Sequence, residues 1–257
     1  MGSTLVKIAA SALVGVIACS SGELRPSPIA PSGPPRIDTT VVDRHARQFD
    51  SELADRPAGS QREQGASQYL LGHLQRAGYP VRLEGVPVAN LVRSTNLLGQ
   101  PPRGETPIAI VACAYDGLPQ QDDWGHTIGT FLELARALYV RDPEHRVEFA
   151  ALGAERTEAH LGSRLLAQQL IDQERDPFVV TLAGLEAEAS LSTAGARSAE
   201  ARAIARDLGM DVAPGADVAD LIGVDVFARA GFDHLVVTGS PDSVGAVLLE
   251  LLGDGDE

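Results

Sequence analysis

"GAERTEAHLGSRLL", Gly153 to Leu166, joins an apolar run to an amphipathic one. Val147 to Leu152, just before it, has the length of a buried strand, and Leu161 to Leu170, inside and after it, has the spacing of a helix. The stretch is therefore a strand-to-helix turn. It places Glu155 and Arg156 at the carboxyl end of a strand, where open α/β sheets gather their ligands.

Outward from this turn the alternation continues. Upstream, "HTIGTFLELARALYV" predicts a helix from about Thr127 to Val140, after a strand over Ile108 to Ala112. "NLLGQPPRG" predicts a further strand and a Pro/Gly turn, and Val81 opens an extended segment after Gly78. "VVDRHARQFDSELA" and "SQREQGASQYLLGHLQRAG" read as two leading helices. Downstream, "DPFVVTLAGLEAEA" predicts a strand, "SAEARAIARDLGM" a helix, "FDHLVVTG" a strand and "PDSVGAVLLELL" a closing helix. Such alternation predicts an α/β fold, a three-layer αβα sandwich around a mostly parallel mixed sheet.

At 257 residues, 44% of them hydrophobic, the chain has material for one main core. Its formal charge of −14, with no basic cluster, excludes nucleic acid as a partner. The two cysteines exclude a cysteine-built metal cluster. "LVKIAASALVGVIAC" has one Lys, a short apolar run and then Val16-Ile17-Ala18-Cys19, which resembles a bacterial lipobox. On this reading residues 1–18 are a lipoprotein signal peptide, and residues 19–40 are the lipidated Cys19 and a flexible Pro/Ser-rich tether. Residues 41–257 form the folded domain. The expected location is the cell envelope, on a membrane reached through the Cys19 anchor. Ser20 rather than Asp after Cys19 favours the outer membrane of a Gram-negative host.

The predicted strand ends carry Asp116, Asp122, Asp123, Glu155, Glu186 and Glu188, an acidic set suited to a cation or an amine. Isolated loop carboxylates are more often solvated surface. Cys113 lies inside "IAIVACAY" and reads as a core residue rather than a nucleophile. Ser163 and Ser240 lack the Gly-x-Ser-x-Gly elbow, and no phosphate-binding loop is present. His45, His73, His145 and His234 read as structural or solvent-facing.

From about Arg56 to Leu252 the order of segments resembles the zinc aminopeptidases of metallopeptidase family 28, the group that also contains glutaminyl cyclases. "RPAGSQREQGASQYLL" is similar to that family's opening Arg-x-Ala-Gly-Ser and helix, and "IAIVACAYDG" to the strand ending in His-Tyr-Asp. "DDWGHTIGTFLELARAL" is similar to its Asp-Asn-x-Ser-Gly helix, and "EFAALGAERTEAHLGSRLL" to its Glu-Glu and Gly-Ser segment. The resemblance implies a zinc-exopeptidase sandwich with two zinc ions. Transferred by position, Glu155 takes the general-base place and Asp123 the bridging-ligand place. Ala114 stands where a ligand His belongs, Arg156 where a ligand Glu belongs, and the last His has no counterpart. A fixed guanidinium opposes a divalent cation, so the expectation is a catalytically silent pseudo-peptidase without cofactor, binding a peptide or an envelope protein. On that view Arg156 fills the vacated space and pairs with Asp123 or Glu155, and the crevice persists as a concave acidic pocket. An active zinc aminopeptidase with a rearranged site, drawing on Asp123, His126, His160 and Glu186, is the alternative. A structural envelope protein is the third reading.

Overall fold

A computed structural model of the chain describes residues 31–89, 92–117, 124–156, 160–213 and 224–253. Two helices, α1 (Thr39–Ser51) and α2 (Gln61–Arg76), lead into strands β1 (Val81–Pro87), β2 (Arg93–Gly99) and β3 (Ala109–Ala114). Then follow α3 (Gly125–Arg141), β4 (Val147–Leu152), α4 (Leu161–Asp172), β5 (Phe178–Leu182) and β6 (Ser192–Gly195). The described chain closes with α5 (Ser198–Asp207), α6 (Val224–Arg229), β7 (His234–Thr238) and α7 (Pro241–Gly253).

The seven strands form one sheet in the order β1-β2-β4-β3-β5-β7-β6. β4, β3, β5 and β7 run parallel at its centre, while β2 against β4 and β6 against β7 are antiparallel. The central strands β3, β4 and β5 are buried along their whole length, as continuous apolar runs covered on both faces must be. Alternation sorts their side chains. Val111, Cys113, Phe149 and Val180 join α1, α2, α3, α5 and α7 in one core, and Ile110, Ala112, Ala150 and Val179 join α4 and α6 in the other. The architecture is the expected αβα sandwich.

Local chemistry sets the leading helices. The Asp38 carboxylate accepts from the Thr40 and Val41 amides and caps α1. Ser60 accepts from the Glu63 amide at 3.1 Å while the Glu63 carboxylate reaches back to the Gly59 amide, a close variant of the capping box at the start of α2. α1 lies tightly along α3, because a Cβ at Gly129 would stand 2.7 Å from the Val42 carbonyl oxygen.

Three differences from the sequence expectation stand out. Residues before 41 pack on the domain: Ile37 is buried, and the Arg136 guanidinium donates to the carbonyls of Ser32, Pro34 and Arg36. The segment after Leu182 leaves the sheet, so Glu186 and Glu188 lie in a loop rather than at the end of a long strand. β6 and α6, four and six residues long, escaped the sequence reading because neither spans a full hydrophobic period. The signal peptide, Cys19 and the first part of the tether lie outside the described residues. No helix among the described residues is long and apolar enough to cross a membrane.

Candidate functional site at the strand ends

Asp116, directly beyond β3, is fully buried. Its carboxylate accepts from the Glu155 amide at 3.0 Å and from the Arg156 amide at 3.2 and 3.0 Å through its two oxygens. It therefore ties the end of β3 to the turn after β4. Arg56, itself buried, supports the same corner: its Nε donates to the Tyr115 carbonyl at 2.5 Å, its Nη1 to the Leu53 carbonyl at 3.1 Å, and its guanidinium lies 5.0 Å above the Phe49 ring. Burial foremost lowers its pKa to about 10. Glu63 closes the far side by accepting from the Ser94 hydroxyl, and burial raises its pKa.

Glu155 is 2% exposed and occupied by structure. Its Oε1 accepts from the Ser163 amide at 2.5 Å, in the first turn of α4, which makes it an N-terminal anchor for that helix. Its Oε2 lies 3.5 Å from His160 Nδ1, and the Glu155 carboxylate is the main cause of a raised His160 pKa. Ala154 and His160 adopt left-handed backbone conformations, and a Cβ on Gly162 would stand 2.6 Å from Asn96 Oδ1 and 3.0 Å from Glu155 Oε1. Asn96 bridges the turn, accepting from the Gly153 amide at 3.1 Å and donating to the Gly162 carbonyl at 3.0 Å.

The Arg156 guanidinium lies over the Trp124 indole, 4.6 Å from its centroid. Trp124 is 5% exposed and packs with Ala114, Ala183 and Val236 in a small apolar cluster at the carboxyl ends of β3, β5 and β7. Sequence reasoning expected Asp123 or Glu155 as the partner of Arg156. The guanidinium stacks on the indole and Glu155 accepts from the Ser163 amide; Asp123, like Asp122, lies outside the described residues. The space beneath is a hollow of about 10 Å³ lined by Cys113, Ala114, Trp124, Glu155, Thr181 and Phe227, among others. That is about the size of a single water probe. Among the described residues the lining of this hollow is largely apolar.

The remaining candidates lie apart. His126, on α3, faces α1, with its Nε2 3.2 Å from Asp43 Oδ1. Glu186 is exposed, its amide bonded to the Gly239 carbonyl at the ends of β5 and β7. Glu155 and His160 are thus brought together, whereas His126 and Glu186 each have other surroundings. Two neighbouring donors are short of a zinc shell, which takes three or four. Among the described residues no three of His, Cys, Asp and Glu converge on a point that could hold a metal. Cys113 is buried, and burial raises its thiol pKa far from reactivity. Sequence reasoning named Asp116 only among the acidic residues of the strand ends, and missed its structural role and that of the corner-bracing Arg56. Their partners are distant in sequence, though a charged residue inside an apolar context was a usable signal.

The fold is similar to that of zinc-dependent exopeptidases and glutaminyl cyclases. A leucine aminopeptidase precursor of Bacteroides thetaiotaomicron superposes with a TM-score of 0.71 at 15% identity, over 87% of this chain and 99% of that one. A zinc-dependent exopeptidase of Parabacteroides distasonis gives 0.67 at 14%, over 86% and 100%. A glutaminyl cyclase of Fimbriiglobus ruber gives 0.68 at 18%, over 86% and 97%. No family model matches the sequence, and no curated protein matches it significantly. The likeness is one of fold.

Proposed function

We propose that this chain is a catalytically silent protein on the zinc-exopeptidase fold, carried to the cell envelope on a lipid anchor at Cys19 and binding a peptide or protein partner there. The observation that carries the reading is the stack of Arg156 on Trp124 beside Ala114. It puts a permanent cation and an indole at the strand ends, the place where an exopeptidase of this fold would need metal ligands. The capping role of Glu155 supports the same view, because the carboxylate is fixed as an anchor by the amide of the first turn of α4. Exposed Glu186 and Glu188 at the rim supply the negative charge that a peptide amino terminus would meet.

The test is the zinc content of the purified soluble protein after exposure to zinc and removal of the excess. Absence of bound zinc, with saturable binding of peptides that survives Glu155→Gln, is the expected result. Near-stoichiometric zinc that disappears in Asp123→Ala, with release of amino-terminal residues from peptides, would overturn it in favour of a working aminopeptidase. Absence of both zinc and peptide binding would leave the structural envelope role.

A further inference from the structure

A second site lies in the outer helical layer and shares no residue with the strand-end cluster. It is a cavity of about 550 Å³ walled by α1, α2, α3 and the segment Pro31 to Pro34, a volume typical of small-molecule sites. Val41, Ala77 and Leu132 supply apolar wall. Three rings complete it: His45 stands edge-on to His73 at 4.6 Å and to Tyr69 at 5.7 Å, and Tyr69 and His73 lie 4.4 Å apart. His45 Nδ1 is 2.7 Å from the Tyr69 hydroxyl.

The charges around this hollow are unbalanced. Its two carboxylates are both engaged: Asp38 caps α1, and Glu133 takes paired bonds from Arg136 at 2.9 to 3.0 Å. Arg136 also holds the Pro31–Pro34 wall in place through the Ser32 and Pro34 carbonyls. That leaves Arg44 and Arg76, exposed at the rim and outside the ion pairs formed among the described residues. In a chain of net charge −14, this is a local reversal of sign. The imidazoles register it. Burial first, then Arg44 and Arg76, hold His45 at about 4, and burial, His45 and Arg76 hold His73 at about 3. Both are therefore neutral near pH 7, and the two guanidiniums would repel a metal cation from them.

We infer that this cavity binds a small organic acid, with an aromatic or alkyl body against Val41, Leu132, Tyr69 and His73 and an anionic head, carboxylate or phosphate, between Arg44 and Arg76. The guanidinium fork suits either head, and the ring wall suits a flat or branched apolar body.

The test uses the full chain with labelled histidines. The His45 and His73 ring signals are followed by NMR while a set of aryl and alkyl carboxylates, their uncharged amides and the matching phosphate monoesters are added. The expected result is saturable movement of both signals with at least one acid, and still His145 signals. The matched amide should bind about tenfold more weakly or worse, and the Arg44→Gln/Arg76→Gln double variant should lose about the same factor. Whichever series binds more tightly identifies the head. Equal binding of acid and amide, an unweakened double variant, or no movement with any acid up to millimolar concentration would each overturn the inference. So would movement of these signals by zinc chloride alone.

Discussion

Replacing Arg156 by Ala tests whether a guanidinium–indole stack closes the strand ends. The Arg156 guanidinium is 4.6 Å from the Trp124 centroid, and Trp124 is 5% exposed. This geometry belongs toward the desolvated end of cation–π interactions, which run from about 0.5 kcal/mol when exposed to about 2 when dry. The stem of Arg156 also covers apolar surface that Ala would uncover. A loss of about 1–2 kcal/mol is expected, or about 2–8 °C in Tm for a domain of this size. Trp124 is the sole tryptophan of the chain, so its fluorescence reports both unfolding in urea and solvent access to the indole. The Ala variant should unfold at lower urea and emit further to the red in the folded state. Arg156→Lys keeps the charge without the flat stacking surface and should fall between. If Arg156→Ala alters neither the midpoint nor the emission, the stack does not close this site, and the argument for a replaced metal shell loses its main support.

Gly162→Ala should destabilise the fold by about 1–3 kcal/mol, measured by urea denaturation, because the added methyl meets Asn96 Oδ1, Glu155 Oε1 and the Gly153 carbonyl in a turn that has no room to give. The histidines titrate with opposite consequences. His160 has its pKa raised chiefly by Glu155, so the stability it contributes is fully present below pH 6.5 and lost as pH rises through the raised value. An NMR titration of His160 should therefore fall back toward 6.5 in Glu155→Gln, and an unchanged midpoint would refute the pairing. His145 behaves the other way: its Nδ1 accepts from the Val147 amide at 3.2 Å and its Nε2 sits 2.8 Å from the Tyr79 hydroxyl, which donates to the Ala135 carbonyl. Burial lowers its pKa to about 4, so stability worth about 3 kcal/mol is present above pH 6.5 and lost as pH falls toward 4. His145→Gln should flatten that fall in a pH series of urea midpoints.

The sheet and its covering helices were legible because burial imposes period. A run such as Val147 to Leu152 can be buried on both faces only in a covered parallel sheet, and Leu161 to Leu170 repeats its apolar residues at helical spacing. The short edge strand Ser192–Gly195 carries no such period, and neither does the anchoring of Ile37, which depends on α7 more than 200 residues away. At the candidate site, residue types were readable and their partners were not. That Ala114 and Arg156 cannot ligate a metal could be seen from the sequence alone, because what matters there is what a side chain cannot do. The role of Glu155 could not. A carboxylate at a strand end serves equally as a base, a ligand or a helix cap. The choice is made by an amide eight residues on, an imidazole five residues on, and Asp116, which accepts from the backbone of the turn itself. Through the Ser163 amide, Glu155 joins β4 to α4 whether or not chemistry ever occurs beside it. Its place in the sequence is therefore accounted for by folding, and the case for or against catalysis rests on Arg156 and Trp124.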